Sequence, residues 1–149
     1  MNEHPNAGGI GVNWLVFGSN GHESKPEGGV LENFTRCAEK DFSSNHYIKT
    51  ICDPMKVLSV FDAHTLLYYK NFRNLDENGN PIGQIVNLSL TKSVNFDKIR
   101  INHYFTKSKQ EFMQKRARGR AYNGGIRPIE NFYDHDRNEV LDIEILSHT

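Results

Sequence analysis

Apolar residues along this chain fall into short groups separated by turn-forming stretches, a rhythm that predicts small elements rather than long ones. Val12 to Phe17 is an apolar run around Trp14 and reads as a strand, ended by the turn chemistry of Gly18-Ser19-Asn20-Gly21-His22. A polar loop continues through Lys25 to Gly29, and apolar positions 30, 31, 34 and 38 then suit one or two helical turns. His46 to Ile51 and Val57 to Val60 read as two strands parted by Asp53-Pro54, whereas residues 62–69 show no clear period. Asn78-Gly79 marks a hairpin-like reversal. Residues 84–101 lead into a short alternating strand in which Ile99 and Ile101 share a face. The strongest helix signal follows. Ser108 stands three residues before Glu111 in a capping-box pattern, Phe112 comes next, and Gly119 can stop the helix. The tail from Tyr122 carries Gly124-Gly125 and Pro128 and is expected to end in a short strand or helix.

No βαβ series is complete, so the pattern predicts a mixed α/β or α+β unit with short strands and a basic helix after residue 107. The expected organisation is a flexible lead-in over 1–11, a domain over 12–121, and a C-terminal extension over 122–149 packed on the same domain. A chain of 149 residues is long enough for a real core; its hydrophobic fraction of 37% is low, and 11% aromatic residues partly compensate. Cys37 and Cys52 form neither a disulfide framework nor a zinc knuckle. No apolar run approaches the roughly 20 residues that cross a bilayer, and no signal peptide opens the chain. The expected location is therefore cytoplasmic or cytoplasm-facing. Asn33-Phe34-Thr35 and Asn87-Leu88-Ser89 match the glycosylation acceptor pattern, one that recurs by chance.

Charge changes the picture only through its placement. The formal net charge is zero, yet residues 98–120 hold eight of the 18 basic residues and one acid, Glu111. The chain as a whole gives no reason to expect nucleic acid, while one segment attracts anions. Lys107 and Lys109 stand at the expected helix start, where their charge adds to the positive end of the dipole unless an anion offsets it. Ser108 and neighbouring N–H groups are candidate phosphate contacts, and a solvated helix face is the structural alternative. His103 suits a divalent-metal ligand, a phosphate donor or a satisfied structural histidine. His22 and Ser19 sit in the glycine-bracketed loop, where they can border a ligand. Glu27 and Glu32 flank its exit, where a carboxylate can activate a hydroxyl. Phe112 reads as a core anchor, Lys115 as an ion-pair partner of Glu111, and His64 as structural. No P-loop, Rossmann fingerprint or nucleophile elbow is present.

Two blocks carry a resemblance. The first is Val12-Asn13-Trp14-Leu15-Val16-Phe17-Gly18-Ser19-Asn20-Gly21-His22, followed by Glu32-Asn33-Phe34 and Tyr47-Ile48-Lys49-Thr50-Ile51. The second runs from Arg100 through Asn102-His103-Tyr104-Phe105-Thr106-Lys107-Ser108 to Phe112, with Lys115 and Arg118-Gly119-Arg120-Ala121. In order and spacing these resemble the family 92-like and related family 2 glycosyltransferases of the GT-A fold, in their C-terminal, acceptor-side half. The resemblance implies a nucleotide-sugar donor, a sugar or glycan acceptor, and Mn2+ or Mg2+ as cofactor. By it, His103 would complete metal or diphosphate contacts, and Lys107 would neutralise the leaving diphosphate with help from Ser108. Trp14, Ser19 and His22 would border the sugar or acceptor, and Glu32 is the candidate catalytic residue. The family's Asp-x-Asp metal motif has no counterpart ahead of the first block; Asp134-His135-Asp136 has its lettering but follows the second. The donor half is expected to be absent from these residues, so that transfer by the chain alone is not expected and an uncovered surface is left through which copies can self-associate. The competing expectations are a noncatalytic carbohydrate- or phosphate-binding module, and a nucleic-acid-binding basic helix.

Overall fold

A computed structural model describes residues 4–62, 64–83, 89–120 and 124–148. The fold is a mixture of α and β structure with few helices and mainly antiparallel pairing. It divides into two compact units, Met1–Trp14 with Lys40–Ile101 and Leu15–Glu39 with Asn102–Thr149. Residues 84–88, which begin the expected lead-in to the alternating strand and include Asn87-Leu88 of the second glycosylation pattern, lie outside the described residues, as do residues 121–123 at the start of the tail.

In the first unit, strand β1 (Ala7–Phe17) begins at Ala7 rather than at Val12. The glycines that look like a loose lead-in are buried within it. They suit the site because bare backbone is needed: a Cβ on Gly8 would overlap the Tyr68 ring, and one on Gly9 would overlap the Tyr68 phenol oxygen. β2 (Arg36–Cys37) belongs to the second unit. β3 (Ile48–Cys52) runs antiparallel to β1, from Asn13 opposite Ile48 to Gly9 opposite Cys52. Asp53-Pro54 opens a single 3₁₀ turn, with the Asp53 carboxylate accepting from the Met55 N–H at 3.0 Å. β4 (Val57–Val60) and β5 (Leu66–Tyr68) pair antiparallel, which assigns Leu66–Tyr68 of the stretch with ambiguous period to a strand; Ala63 in that stretch lies outside the described residues. This hairpin region leaves Met55, Leu58, Val60 and Phe61 exposed. β6 (Arg73–Leu75) lies parallel to β1.

The Asn78-Gly79 reversal is present. The Asp76 carboxylate accepts from the N–H groups of Asn78 and Asn80, and Gly79 takes a φ of +84°. Val12, Ile48, Leu75, Ile82 and Val94 supply the apolar core. Buried Asn13 ties loops to it, donating to the Asn45 carbonyl at 3.0 Å and the Thr91 hydroxyl at 2.7 Å. His64 is structural: one ring nitrogen bonds the Ile48 carbonyl at 2.9 Å, and its ring packs against Trp14 and Tyr47.

In the second unit, Phe17 at the end of β1 stands opposite Cys37 of β2, and β2 pairs in turn with β8 (Val140–Leu141). β7 (Ile101–Tyr104) pairs with β1. The helical stretch expected from Val30 closes after one turn as α1 (Val30–Asn33). α2 (Lys109–Ala117) sits where its capping box and Gly119 put it, with Gly119 at a φ of +75°. α3 (Glu130–His135) follows, and a 3₁₀ helix over Glu144–His148 ends the described chain. Phe112 is fully buried, packed edge-on against Phe132 at 5.4 Å and beside Phe105 at 6.1 Å. Among the described residues no helix is long and apolar enough to cross a membrane. Cys37 and Cys52 are not joined in a disulfide.

Removing the Phe112 ring leaves a cavity that these aromatic neighbours cannot fill. Phe112→Ala is expected to cost about 3–5 kcal/mol, read as a lower denaturant midpoint at unchanged slope.

Candidate functional site: a basic cleft at the start of α2

The loop after β1 is held by its backbone. The Gly18 N–H bonds the Arg36 carbonyl at 3.0 Å, and a Cβ there would collide with the Arg137 carbonyl, so only glycine fits. Asp136 accepts from the Ser19 N–H at 2.6 Å, and Asn138 accepts from the Asn20 N–H at 2.8 Å. The buried Ser19 hydroxyl accepts from the Gly21 N–H at 3.0 Å. These bonds aim the next two carbonyls at α2. The His22 carbonyl takes the Lys109 N–H at 3.0 Å, and the Glu23 carbonyl takes the Gln110 N–H at 2.9 Å.

Ser108 completes the arrangement as N-cap, its hydroxyl accepting from the Glu111 N–H at 3.3 Å and donating to the Glu111 carboxylate at 2.8 Å. The first three N–H groups of the helix are thus bonded within the protein. The expectation that they would grip an anion meets donors already engaged. Side-chain cations are what this end of the helix offers.

Lys107 from this end and Lys115 and Arg118 from the last turn and C-cap of α2 line a cleft of about 430 Å³ with Tyr104, Phe105 and Thr106 among others, and Glu111 is its one carboxylate. Lys107 ion-pairs with Glu111 at 3.8 Å. Lys115 does not take the expected place beside Glu111; it donates to the Phe105 carbonyl at 3.0 Å and lies 4.5 Å above the Phe105 ring. Burial, then the charges of Arg127, Lys107 and Arg118, hold the Lys115 ammonium below its ordinary pKa. The Arg127 guanidinium stands 5.9 Å from the same ring, and His135 stacks on it at 4.2 Å. Burial also lowers the His135 pKa, against the raising effect of its bond to the Asn131 carbonyl. The Thr106 hydroxyl is buried and has no hydrogen-bond partner.

Of the residues singled out from sequence, Lys107 lines this cleft and Ser108 lies buried at the helix start. His103 is on β7, half-buried, its ring 5.8 Å from that of Phe105. His22 bonds the Asn33 carbonyl at 3.3 Å and meets Phe34 edge-on. Glu32 is exposed, and its carboxylate accepts from the Gly29 N–H at 2.9 Å, the role of a local helix-start cap. Trp14 belongs to the first unit, where it is packed between Tyr47 and His64 with Lys49 5.9 Å from its ring.

For the metal, among the described residues no three His, Cys, Asp or Glu side chains stand together to hold an ion. The described side chains do not make a complete Mn2+ or Mg2+ site. Asp136, whose motif resembles a metal signature in lettering, instead binds the Ser19 backbone and the Asn138 side chain. Lys115, Arg127 and His135, grouped around Phe105, are not among the site residues expected from sequence. The signal for Lys115 and Arg118 was the spacing 107, 111, 115, 118, one side of a helix; Arg127 and His135 arrive from a distant segment and leave no local signature.

Ser108→Ala removes the cap hydroxyl and should cost about 1 kcal/mol of stability in denaturant titration. His135 should titrate by NMR below the ordinary histidine value. Because its folded pKa is lowered, its contribution to stability is complete above about pH 6.5 and is lost as pH falls through the folded pKa. His135→Gln should flatten that part of the stability profile.

No protein-family model matches this chain, and neither a curated protein nor a solved structure shows significant similarity to it, so its functional reading rests on its own residues.

Proposed function

We propose that this chain contributes acceptor and nucleotide-sugar diphosphate binding to glycosyl transfer, as a partial GT-A-like domain, with the diphosphate held in the cleft beside α2. The observation that carries this reading is the convergence of Lys107, Lys115 and Arg118 on one cleft with a single carboxylate among them. Fixed cations beside a departing diphosphate stabilise the negative charge that develops as the glycosidic bond breaks. Arg118 adds a planar guanidinium suited to two phosphate oxygens, and Lys107 adds a point charge. Lys115 holds the Phe105 carbonyl and lends its charge from below. The anion would therefore be gripped by side chains and not by the helix dipole, whose first donors the loop carbonyls occupy.

The acceptor would approach from the loop of Ser19 and His22, with Glu32 as candidate base and His103 as a contact to the diphosphate. By the resemblance, His103 would complete the contacts of a divalent ion or of the diphosphate. The exposed apolar residues of the β4–β5 hairpin support self-association of copies. A phosphate-binding module without transfer is the second reading, favoured by the same cleft.

Calorimetry with a nucleoside diphosphate and manganese tests the site. Lys107→Ala and Arg118→Ala should each weaken binding by about tenfold, and added salt should weaken it further. Equal affinity in both variants would remove the cleft from the account. Donor hydrolysis or sugar transfer by the protein would select the transferase reading; tight binding with neither would select the module.

A further inference from the structure

The first unit contains a cavity of its own, about 450 Å³ in volume, walled by Leu66, Tyr68, Phe72, Arg73, Asn74 and Ile82 among others. Two of these residues carry polar atoms that no described residue matches. The Tyr68 phenol oxygen and the Asn74 carboxamide oxygen are both buried without a hydrogen-bond partner. They come together over Gly9: a Cβ placed there would overlap the phenol oxygen and lie 3.1 Å from the Asn74 oxygen. Asn74 is fixed in orientation, since its amide nitrogen donates to the Thr50 hydroxyl at 2.9 Å, and its oxygen is what remains to be used. Buried polar groups in native proteins almost always find partners, so a matched pair left open marks a place where something else supplies the bonds.

We propose that this cavity binds a neutral, hydroxyl-rich small molecule, one hydroxyl of which bridges Tyr68 and Asn74. The chemistry selects the class. Burial, with a smaller effect of Cys52, pushes the phenol pKa up to about 12, so Tyr68 keeps its proton and donates. Asn74 offers an acceptor. A hydroxyl accepts from one and donates to the other through a single oxygen, whereas a carboxylate has no proton for Asn74 and an ammonium no lone pair for Tyr68. The aromatic and aliphatic walls of Phe72, Leu66 and Ile82 suit the C–H faces of a polyol. Arg73, the charged residue at this cavity, is exposed at its rim. The cavity also depends on the glycine row of β1, because side chains at residues 8 and 9 would displace the Tyr68 ring. This proposal does not rest on the cleft beside α2, and either can fail alone.

Backbone and side-chain amide NMR of the full chain, titrated with methyl glucoside, myo-inositol and inorganic phosphate, tests it. A polyol should shift resonances of residues 66–68 and 71–74, including the Asn74 side-chain amide, and phosphate should not. Tyr68→Phe keeps the ring packed on the glycines and removes only the hydroxyl; it should weaken polyol binding about tenfold. The Asn74 amide shift in the unaltered protein decides the matter even if the variant fails to fold. The proposal is overturned if no polyol perturbs these residues up to about 50 mM, a range that still detects weak millimolar affinity. It is equally overturned if phosphate alone perturbs them, or if a folded Tyr68→Phe binds as tightly as the parent.

Discussion

The basic cleft depends on how the first turn of α2 is satisfied. A helix start presents N–H groups that must find acceptors, and here the carbonyls of His22 and Glu23 and the hydroxyl of Ser108 provide them. The loop that supplies those carbonyls is itself held by Asp136 and Asn138 from the far end of the chain. Helix, loop and tail therefore form one closed hydrogen-bonded assembly. With the backbone committed, the charge of the segment is expressed through side chains projecting beyond it. That division puts Lys107, paired with Glu111, and Arg118 on the wall of the cleft while the scaffold's own donors stay satisfied.

Local signals were legible and distant ones were not. The Ser108–Glu111 capping box and the Asn78-Gly79 reversal each complete their bonds within a few residues, so their letters suffice. Phe112 announced itself as a core residue by standing among polar neighbours at the head of the helix. The start of β1 was hidden because Gly8 and Gly9 carry no hydrophobic side chain; their place in a strand is set by Tyr68, which lies far along the chain and packs on their bare backbone. Lys115 also misled. Its spacing from Glu111 suits an ion pair, but the Phe105 carbonyl and ring offered a nearer partner, and Lys107 took the carboxylate instead.

The candidate site divides along the same line. Lys107 and Ser108 follow from the helix-start pattern, whereas the ring of residues around Phe105 is assembled by α3 and the segment before it, which only folding brings near. Polar residues chosen for their chemistry proved to have architectural work as well: Glu32 caps α1, Ser19 ties its loop, and His22 anchors to Asn33. A carboxylate or hydroxyl in a glycine-rich loop has many local donors and acceptors within reach, and its letter alone does not tell which it will meet.

Lys107 has a φ of 52°, in the left-handed region where a branched Cα meets its own backbone. Glycine or asparagine would turn the chain there with less strain, at a saving of about 1 kcal/mol. The position thus sets two demands against each other, easy bending and a cation at the rim, and this chain has settled for the cation. Backbone comfort and charge are therefore coupled at that one residue, where relaxing the bend and removing one cation from the cleft are the same substitution.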